Sequence, residues 1–300
     1  MNKTITYLKM AGVLFILILC GCQSIEKNKM VLEDGGTGFY KAVILEDKTL
    51  PGFTIYRPEN MGVFGSKQKL PIVLWGNGDC QKTSGGYEKF LNEIASYGYI
   101  VINACPYSSL LQPFEGGLTD DSGGAIRMLD ALDWVMAENS REWSRYYGKI
   151  DITKVAAGGQ SCAGMQVIEA SVDPRVTTSL ICNSGMMNAG VLGGNSGISL
   201  TMEMYKKLHA PILYISGDAS DAAYANASEE LHFIDNVPVV MMLNQNTEYY
   251  ETYEQPHGGS FAAAVIAWLD WLLKGDKSIF DSLDCHCPYS IWKIEYRNFE

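Results

Sequence analysis

The feature that most constrains the fold of this 300-residue chain is a regular alternation of short apolar segments with amphipathic ones. The apolar segments lack the polar alternation of half-exposed strands, so they predict strands that are buried on both faces, as in a parallel sheet. The alternation therefore predicts an α/β fold, with a mostly parallel central sheet and helices on both faces. The predicted strands are Leu70–Trp75, Tyr99–Ala104, Lys154–Gly158, Val176–Cys182, Pro211–Ser216 and Val237–Leu243. The predicted helices are Tyr87–Tyr97, Ser122–Glu138, Cys162–Ser171, Ala222–Phe233 and Phe261–Leu273.

Such sheets carry their functional residues in the loops at the carboxyl ends of the strands. The loop after Gly158 holds the strongest motif, Gly159-Gln160-Ser161-Cys162-Ala163-Gly164. A serine between small residues, after a strand and before a helix, is typical of a nucleophile elbow. We expect Ser161 to be a catalytic nucleophile and the N–H of Cys162, at the start of a helix, to stabilise an oxyanion. A purely structural turn is the alternative interpretation.

A serine nucleophile needs a base, and a nucleophile elbow is followed by its acid and base in the chain order Ser, Asp, His. The acid is expected after the strand Pro211–Ser216, where Asp218 and Asp221 are both candidates. Asp221 is preferred because it directly precedes a helix, and the other aspartate could cap that helix. Among the four histidines, only His257 lies in the loop after the strand Val237–Leu243, so it is the expected base. Capping of the last helix is its alternative role.

The second oxyanion donor is expected in the loop that follows Trp75. That loop begins Gly76-Asn77-Gly78, and its glycines let the backbone come close to a substrate. The N–H of Asn77 or of Gly78 is the candidate donor, and an ordinary tight turn is the alternative.

Charge and motif content argue against several other classes of protein. A net charge of −11 leaves nothing to neutralise phosphates, so nucleic acid is not an expected partner. No GxGxxG motif follows the first strands, and no organic cofactor is expected. The segment Cys285-His286-Cys287 lacks both CxxC spacing and a second ligand pair, so no metal is expected either.

The N-terminus has the features of an export signal. Two lysines, Lys3 and Lys9, precede an apolar run, Ala11–Leu19, that is too short for a convincing transmembrane helix. The run ends in Leu19-Cys20-Gly21-Cys22, which resembles the lipobox of bacterial lipoproteins, with Cys22 as the acylated residue. A plain secretory signal is the alternative.

These features predict three segments: a signal peptide over 1–21, a tether over 22–35 and one domain over 36–300. The expected location is the cell envelope, with a lipid anchor that holds the domain at the periplasmic or cell surface without spanning the membrane. Export also permits disulfides. Cys80 and Cys105 follow neighbouring predicted strands, so a bridge between them is conceivable, and burial as free thiols is the alternative.

Segments across almost the whole exported part of the chain resemble a group of secreted α/β-hydrolases. This group is related to the cutinase, polyester-hydrolase and dienelactone-hydrolase branches. The resemblance implies the α/β-hydrolase fold, and it does not define a substrate. The similar segments are residues 75–78, 95–102, 159–162, 173–176, 220–224 and 267–276.

One departure from that family concerns the base. Relatives carry a His-Gly-Gly-Thr-Tyr stretch shortly before an Asn-Gly-Gly that opens the last helix. Here the matching stretch is Tyr249-Tyr250-Glu251-Thr252-Tyr253, and His257 occupies the later Asn position. Either the loop is reshaped so that His257 serves as the base, or the base is missing.

Two functions follow from the sequence. The first is a serine-dependent carboxylic ester hydrolase that acts on small-molecule, glycan or lipid esters through an acyl-enzyme. The second is a catalytically impaired hydrolase-fold protein with a binding role, which Tyr249 at the family's histidine position favours.

Overall fold

Nine strands form a single sheet in the computed structural model, which describes residues 29–78, 85–107, 124–185, 200–246, 252–284 and 290–299. The strands are β1 (Ala42–Leu45), β2 (Thr54–Pro58), β3 (Leu70–Gly76), β4 (Ile100–Asn103), β5 (Ile150–Gln160), β6 (Thr178–Cys182), β7 (Ile212–Ser216), β8 (Val239–Asn244) and β9 (Trp292–Arg297). Their order in the sheet is β1-β2-β4-β3-β5-β6-β7-β8-β9.

The centre of the sheet is parallel and its two edges are antiparallel. Strands β4, β3, β5, β6, β7 and β8 run parallel to their neighbours in that block. Strands β1 and β2 on one edge and β9 on the other are antiparallel. This arrangement confirms the predicted mostly parallel α/β sheet.

Helices cover both faces of the sheet. They are α1 (Glu88–Ser96), α2 (Gly124–Ser140), α3 (Cys162–Ala170), α4 (Met202–Lys207), α5 (Ala222–Glu230), α6 (Gly259–Leu269) and α7 (Ser278–Leu283). One core lies between the sheet and α2, α3, α4 and α5, and a second lies between the sheet and α1, α6 and α7. Successive β3 residues alternate between them, with Leu74 in the first core and Trp75 in the second, as the two-residue period of a strand requires.

The six predicted strands and five predicted helices all occur, with ends displaced by a few residues. The elements that the sequence did not predict are β1, β2, β9, α4 and α7. The last predicted helix divides in two, because α6 continues as a π-helical turn over Asp270–Lys274.

The first described residues contact the domain. Met30 forms an isolated antiparallel bridge with Ile44, and the Leu32 carbonyl accepts a hydrogen bond from the Asn92 side chain. Residues 29–35, the described part of the expected tether, therefore lie along β1 and α1. The expected signal peptide and Cys22 lie outside the described residues. Within the described ranges, no helix combines the length and apolarity needed to cross a bilayer.

Candidate active site

Ser161 occupies a strained turn between the last residue of β5 and the first residue of α3. Its backbone angles are φ 53° and ψ −123°, which a residue with a side chain rarely adopts. Three hydrogen bonds hold its backbone there. The Ser161 N–H donates to the Cys182 carbonyl at 3.0 Å, and the Ser161 carbonyl accepts from the Gly164 N–H at 2.9 Å and from the Ser184 hydroxyl at 2.6 Å. The geometry is that of a sharp strand-to-helix turn with the serine at its apex.

Small neighbours make this turn possible. A Cβ atom added to Gly159 would lie 2.7 Å from the backbone oxygen of Ala163, and one added to Gly164 would lie 2.4 Å from the Cβ of Ser184. Both distances are below ordinary contact, so larger residues would force the backbone apart. Ala163, which stands where such a motif usually has glycine, is itself buried.

Cys162, directly after the serine, begins α3 and is disulfide-bonded. The first N–H groups of a helix have no acceptor within the helix, so its backbone suits the expected oxyanion role. Cys105 and Cys182 are free thiols. The conceivable bridge between Cys80 and Cys105 is therefore not formed, because Cys105 lies reduced in a buried position where desolvation raises the pKa of its thiol to about 11.

The other two candidate oxyanion donors already have acceptors within the protein. The Gly78 N–H donates to the Tyr87 hydroxyl oxygen at 3.1 Å, and the Asn77 N–H donates to the sulfur of Cys105. Either group would have to exchange its present acceptor for a substrate oxygen.

The carboxylate of Asp221 is buried and accepts three hydrogen bonds. Their donors are the side-chain amide of Asn183 at 2.8 Å, the Gly217 N–H at 2.9 Å and the Ala223 N–H at 2.9 Å. The Ala223 bond caps the N-terminus of α5. Asp218 instead accepts hydrogen bonds from Ser220 within its own turn, which lower the pKa of its carboxyl group.

A buried polar chain extends from Asp221 through residues that the sequence did not single out. The Tyr253 hydroxyl donates to the side-chain oxygen of Asn183 at 2.7 Å, and the amide of Asn183 donates to Asp221. Asn183 itself has a positive φ of 41° and directly precedes Ser184, which bonds to the Ser161 carbonyl. Its position at the carboxyl end of β6 is the one sequence signal that could have identified it.

The side chain of His257 lies against two glutamates. Its Nδ1 atom lies 3.4 Å from Glu93 Oε2 and 3.5 Å from Glu33 Oε2, and its backbone N–H donates to Glu33 Oε2 at 2.8 Å. No hydrogen bond joins it to Ser161. The structure thus places Ser161 and Asp221 in one linked region at the carboxyl ends of β5, β6 and β7, and it does not bring His257 to them.

The two other histidines within the described ranges have local roles. His209 is bonded through its ring to the Val176 carbonyl, and His232 to the Ser228 carbonyl. His286 and Tyr249 lie outside the described residues. Among the residues that the structure describes, there is also no group of three His, Cys, Asp or Glu side chains with the geometry of a metal site.

Comparison with protein-family models gives no match to this chain, and comparison with curated proteins gives no significant relative.

Proposed function

We propose that this chain is a serine-dependent carboxylic ester hydrolase with the α/β-hydrolase fold, and that it acts through an acyl-enzyme on Ser161. The observation that carries the proposal is the strained conformation of Ser161 between a buried strand and a helix N-terminus. Backbone strain of this kind costs about 1–3 kcal/mol and persists only where surrounding structure enforces it, which is typical of active sites.

The positions of the neighbouring elements support the same proposal. The serine follows β5, and the buried Asp221 follows β7, two strands further along the sheet. This is the chain order, serine before acid, that accompanies a nucleophile elbow in α/β-hydrolases.

The proposed reaction begins with attack of the Ser161 hydroxyl oxygen on an ester carbonyl. The negative oxygen of the tetrahedral intermediate would be stabilised by the Cys162 N–H and the positive end of α3. Loss of the alcohol leaves an acyl group on Ser161, and water then releases the carboxylic acid. The second oxyanion donor, Asn77 or Gly78, would have to release its present acceptor.

Proton transfer is the step that needs a rearrangement. For His257 to accept the proton of Ser161, its ring must leave Glu33 and Glu93 and reach hydrogen-bonding distance of the hydroxyl, about 2.6–3.2 Å. Asp221 would then orient the ring in place of the Asn183 amide that it now binds.

A second candidate function is that of a catalytically impaired hydrolase-fold protein that binds its ligand without turning it over. The contact of His257 with two carboxylates, and the occupation of Asp221 by Asn183, favour this candidate. Loss of a triad member lowers kcat by orders of magnitude and leaves binding possible.

Turnover of short p-nitrophenyl esters by the purified chain distinguishes the two candidates. The hydrolase proposal predicts turnover that is lost in Ser161→Ala. Turnover that is lost in His257→Ala as well would identify the base, and turnover that survives there would remove His257 from the mechanism. A folded wild type without turnover on a broad ester panel would contradict the hydrolase proposal and favour the binding candidate.

We further propose that the chain is a lipoprotein of the cell envelope, anchored through Cys22, with ester groups on glycans or lipids as its substrate class. Three features of the N-terminal sequence support the anchor: the basic residues Lys3 and Lys9, the apolar run Ala11–Leu19, and the small residues that precede Cys22. Metabolic labelling with a fatty acid tests it: label that is lost in Cys22→Ser is expected, and label that persists would refute the anchor.

A further inference from the structure

Three neighbouring segments at the end of the sheet opposite Ser161 form one surface, the basic face. Residues 39–41 precede β1, residues 59–69 join β2 to β3, and residues 141–154 lead from α2 into β5. Strand β1 is antiparallel to β2, which is antiparallel to β4, so β1 runs in the direction of the parallel block. All three segments therefore lie at the amino end of that block, whereas Ser161 follows the carboxyl end of β5.

Hydrogen bonds join the three segments of the basic face. The Gln68 side-chain amide donates to the Tyr40 hydroxyl at 2.7 Å. The Leu70 N–H, directly after the second segment, donates to the Lys149 carbonyl at 2.9 Å. The first segment therefore contacts the second, and the second adjoins the third, so the face is continuous.

The charge of the basic face is opposite in sign to that of the whole chain. Its segments contain seven basic and three acidic residues, a net charge of +4 in a chain whose net charge is −11. Two of the acidic residues, Glu59 and Asp151, are already paired with lysines. Burial and the positive charges of Arg57 and Arg145 lower the pKa of Lys149. Positive charge therefore predominates at this end of the domain.

Two aromatic side chains of the basic face are almost fully exposed. Trp143 is 94% exposed and Phe39 is 91% exposed, more than any other large hydrophobic side chain within the described ranges. Val63, Tyr147 and Ile152, on the same segments, are exposed as well. Grouped apolar side chains on a surface mark an interaction site. Aromatic rings beside lysines and arginines are the combination that binds at the boundary between lipid headgroups and acyl chains.

An anionic bilayer is the partner that matches both properties of the basic face. A second copy of the chain in a symmetric dimer would bring two positive faces together, and like charges repel. Anionic headgroups attract clustered basic residues, each of which strengthens binding by about fivefold. Seven residues of chain lead from Cys22 to Lys29, the first described residue, and they span at most about 25 Å. An anchor at Cys22 would therefore keep the domain at the membrane surface, where a weak contact suffices.

We propose that the basic face docks the domain onto the anionic headgroups of the bilayer to which the chain is anchored, with the end that holds Ser161 turned towards the aqueous side. The seven residues of β3, at about 3.3 Å each, place the basic face roughly 23 Å from the candidate active site. The docking claim rests on the proposed envelope location and not on ester hydrolysis.

Amide hydrogen exchange of the full chain on vesicles tests the docking. The chain is incorporated into vesicles of equal parts phosphatidylglycerol and phosphatidylcholine, and separately into vesicles of phosphatidylcholine alone. The basic face is expected to exchange more slowly on the anionic vesicles, and high salt should remove the difference because it screens exposed charges. The loop after β7, residues 217–221, lies at the other end of the sheet and should exchange equally on both.

Matched charge reversals test whether the position of the charge matters. Lys67→Glu with Lys69→Glu alters the basic face, whereas Lys48→Glu with Lys293→Glu makes the same change of net charge at the other end of the sheet. The ratio of docked to undocked domain should fall about 25-fold or more in the first variant and stay within about twofold of wild type in the second. Trp143→Ala keeps the net charge and should lower that ratio about tenfold, because it removes apolar surface from the contact. All five side chains are exposed, and circular dichroism reports whether each variant keeps the fold.

The outcomes separate the basic face from the anchor. Equal exchange on the two kinds of vesicle, with the chain bound to both, would refute docking and leave the anchor standing. An equal loss in the control variant would show that net charge decides, and it would also refute docking through this face. Slow exchange that needs no vesicles and increases with protein concentration would assign the face to a second copy and overturn the proposal. Slower exchange on anionic vesicles that persists in Cys22→Ser would support the basic face even if the anchor proposal fails.

Discussion

The strain at Ser161 predicts an unusual order of stability among its variants. At an ordinary position, replacing alanine by glycine destabilises a protein by about 0.5–1 kcal/mol, because glycine loses more conformational freedom on folding. At φ 53° and ψ −123°, a residue with a side chain is strained by about 1–3 kcal/mol, whereas glycine adopts these angles without strain. The difference between these two terms makes Ser161→Gly more stable than Ser161→Ala by roughly 0–2.5 kcal/mol, with about 1 kcal/mol as the central expectation.

Comparison of glycine with alanine removes the effect of the lost hydroxyl, because both variants lack it. The free energies of unfolding are obtained from urea transitions by linear extrapolation, and equal slopes confirm that the denatured states are comparable. Ala137→Gly, at an exposed position inside α2, is the matched control and should lose about 1 kcal/mol. If Ser161→Gly were less stable than Ser161→Ala by the amount that the control loses, the turn would not be strained and the reasoning would fail.

Two further predictions concern the surroundings of the site and the body of the domain. Tyr253→Phe removes the donor to the buried side-chain oxygen of Asn183, so the free energy of unfolding should fall by about 1–3 kcal/mol; a urea transition indistinguishable from wild type would show that this link contributes nothing. Asp173 has a carboxyl pKa lowered by its hydrogen bond to Arg175, so the interaction stabilises the fold at neutral pH and is lost as the pH falls below about 4 and through the lowered folded-state pKa. The stability difference between wild type and Asp173→Asn should shrink over that range, and a difference independent of pH from 7 to 3 would contradict the assignment.

The interior of the sheet was predictable because each central strand is a continuous apolar run. Both faces of Leu70–Gly76 are buried, and no polar alternation hides the signal. The strands at the edges of the sheet were harder to predict from the sequence. β1 is only four residues long, and β2 ends in Pro58, a residue type that argues against a strand because it cannot donate a hydrogen bond to the ladder. β9 alternates apolar and polar residues from Trp292 to Arg297, so its sequence does carry the pattern of a strand with one exposed face.

The local geometry around Ser161 was also predictable, because it depends on neighbours in the chain. The small residues Gly159 and Ala163 and the helix that follows are all local features. The direction of His257 was not predictable in this way. Its partners Glu33 and Glu93 lie more than 150 residues earlier in the chain, with Glu33 separated from it by 224 positions. Only the packing of the first described segment against α1 brings them together.

An acid-quenched reaction tests most directly whether Ser161 carries the acyl group during ester hydrolysis, as proposed above. The protein is mixed with a short p-nitrophenyl ester, quenched within the first turnover, digested and examined by mass spectrometry. We expect the acyl group on the peptide that contains Ser161, with none on that peptide in Ser161→Ala. Ester turnover with no acyl group on Ser161, or turnover that persists unchanged in Ser161→Ala, would contradict it.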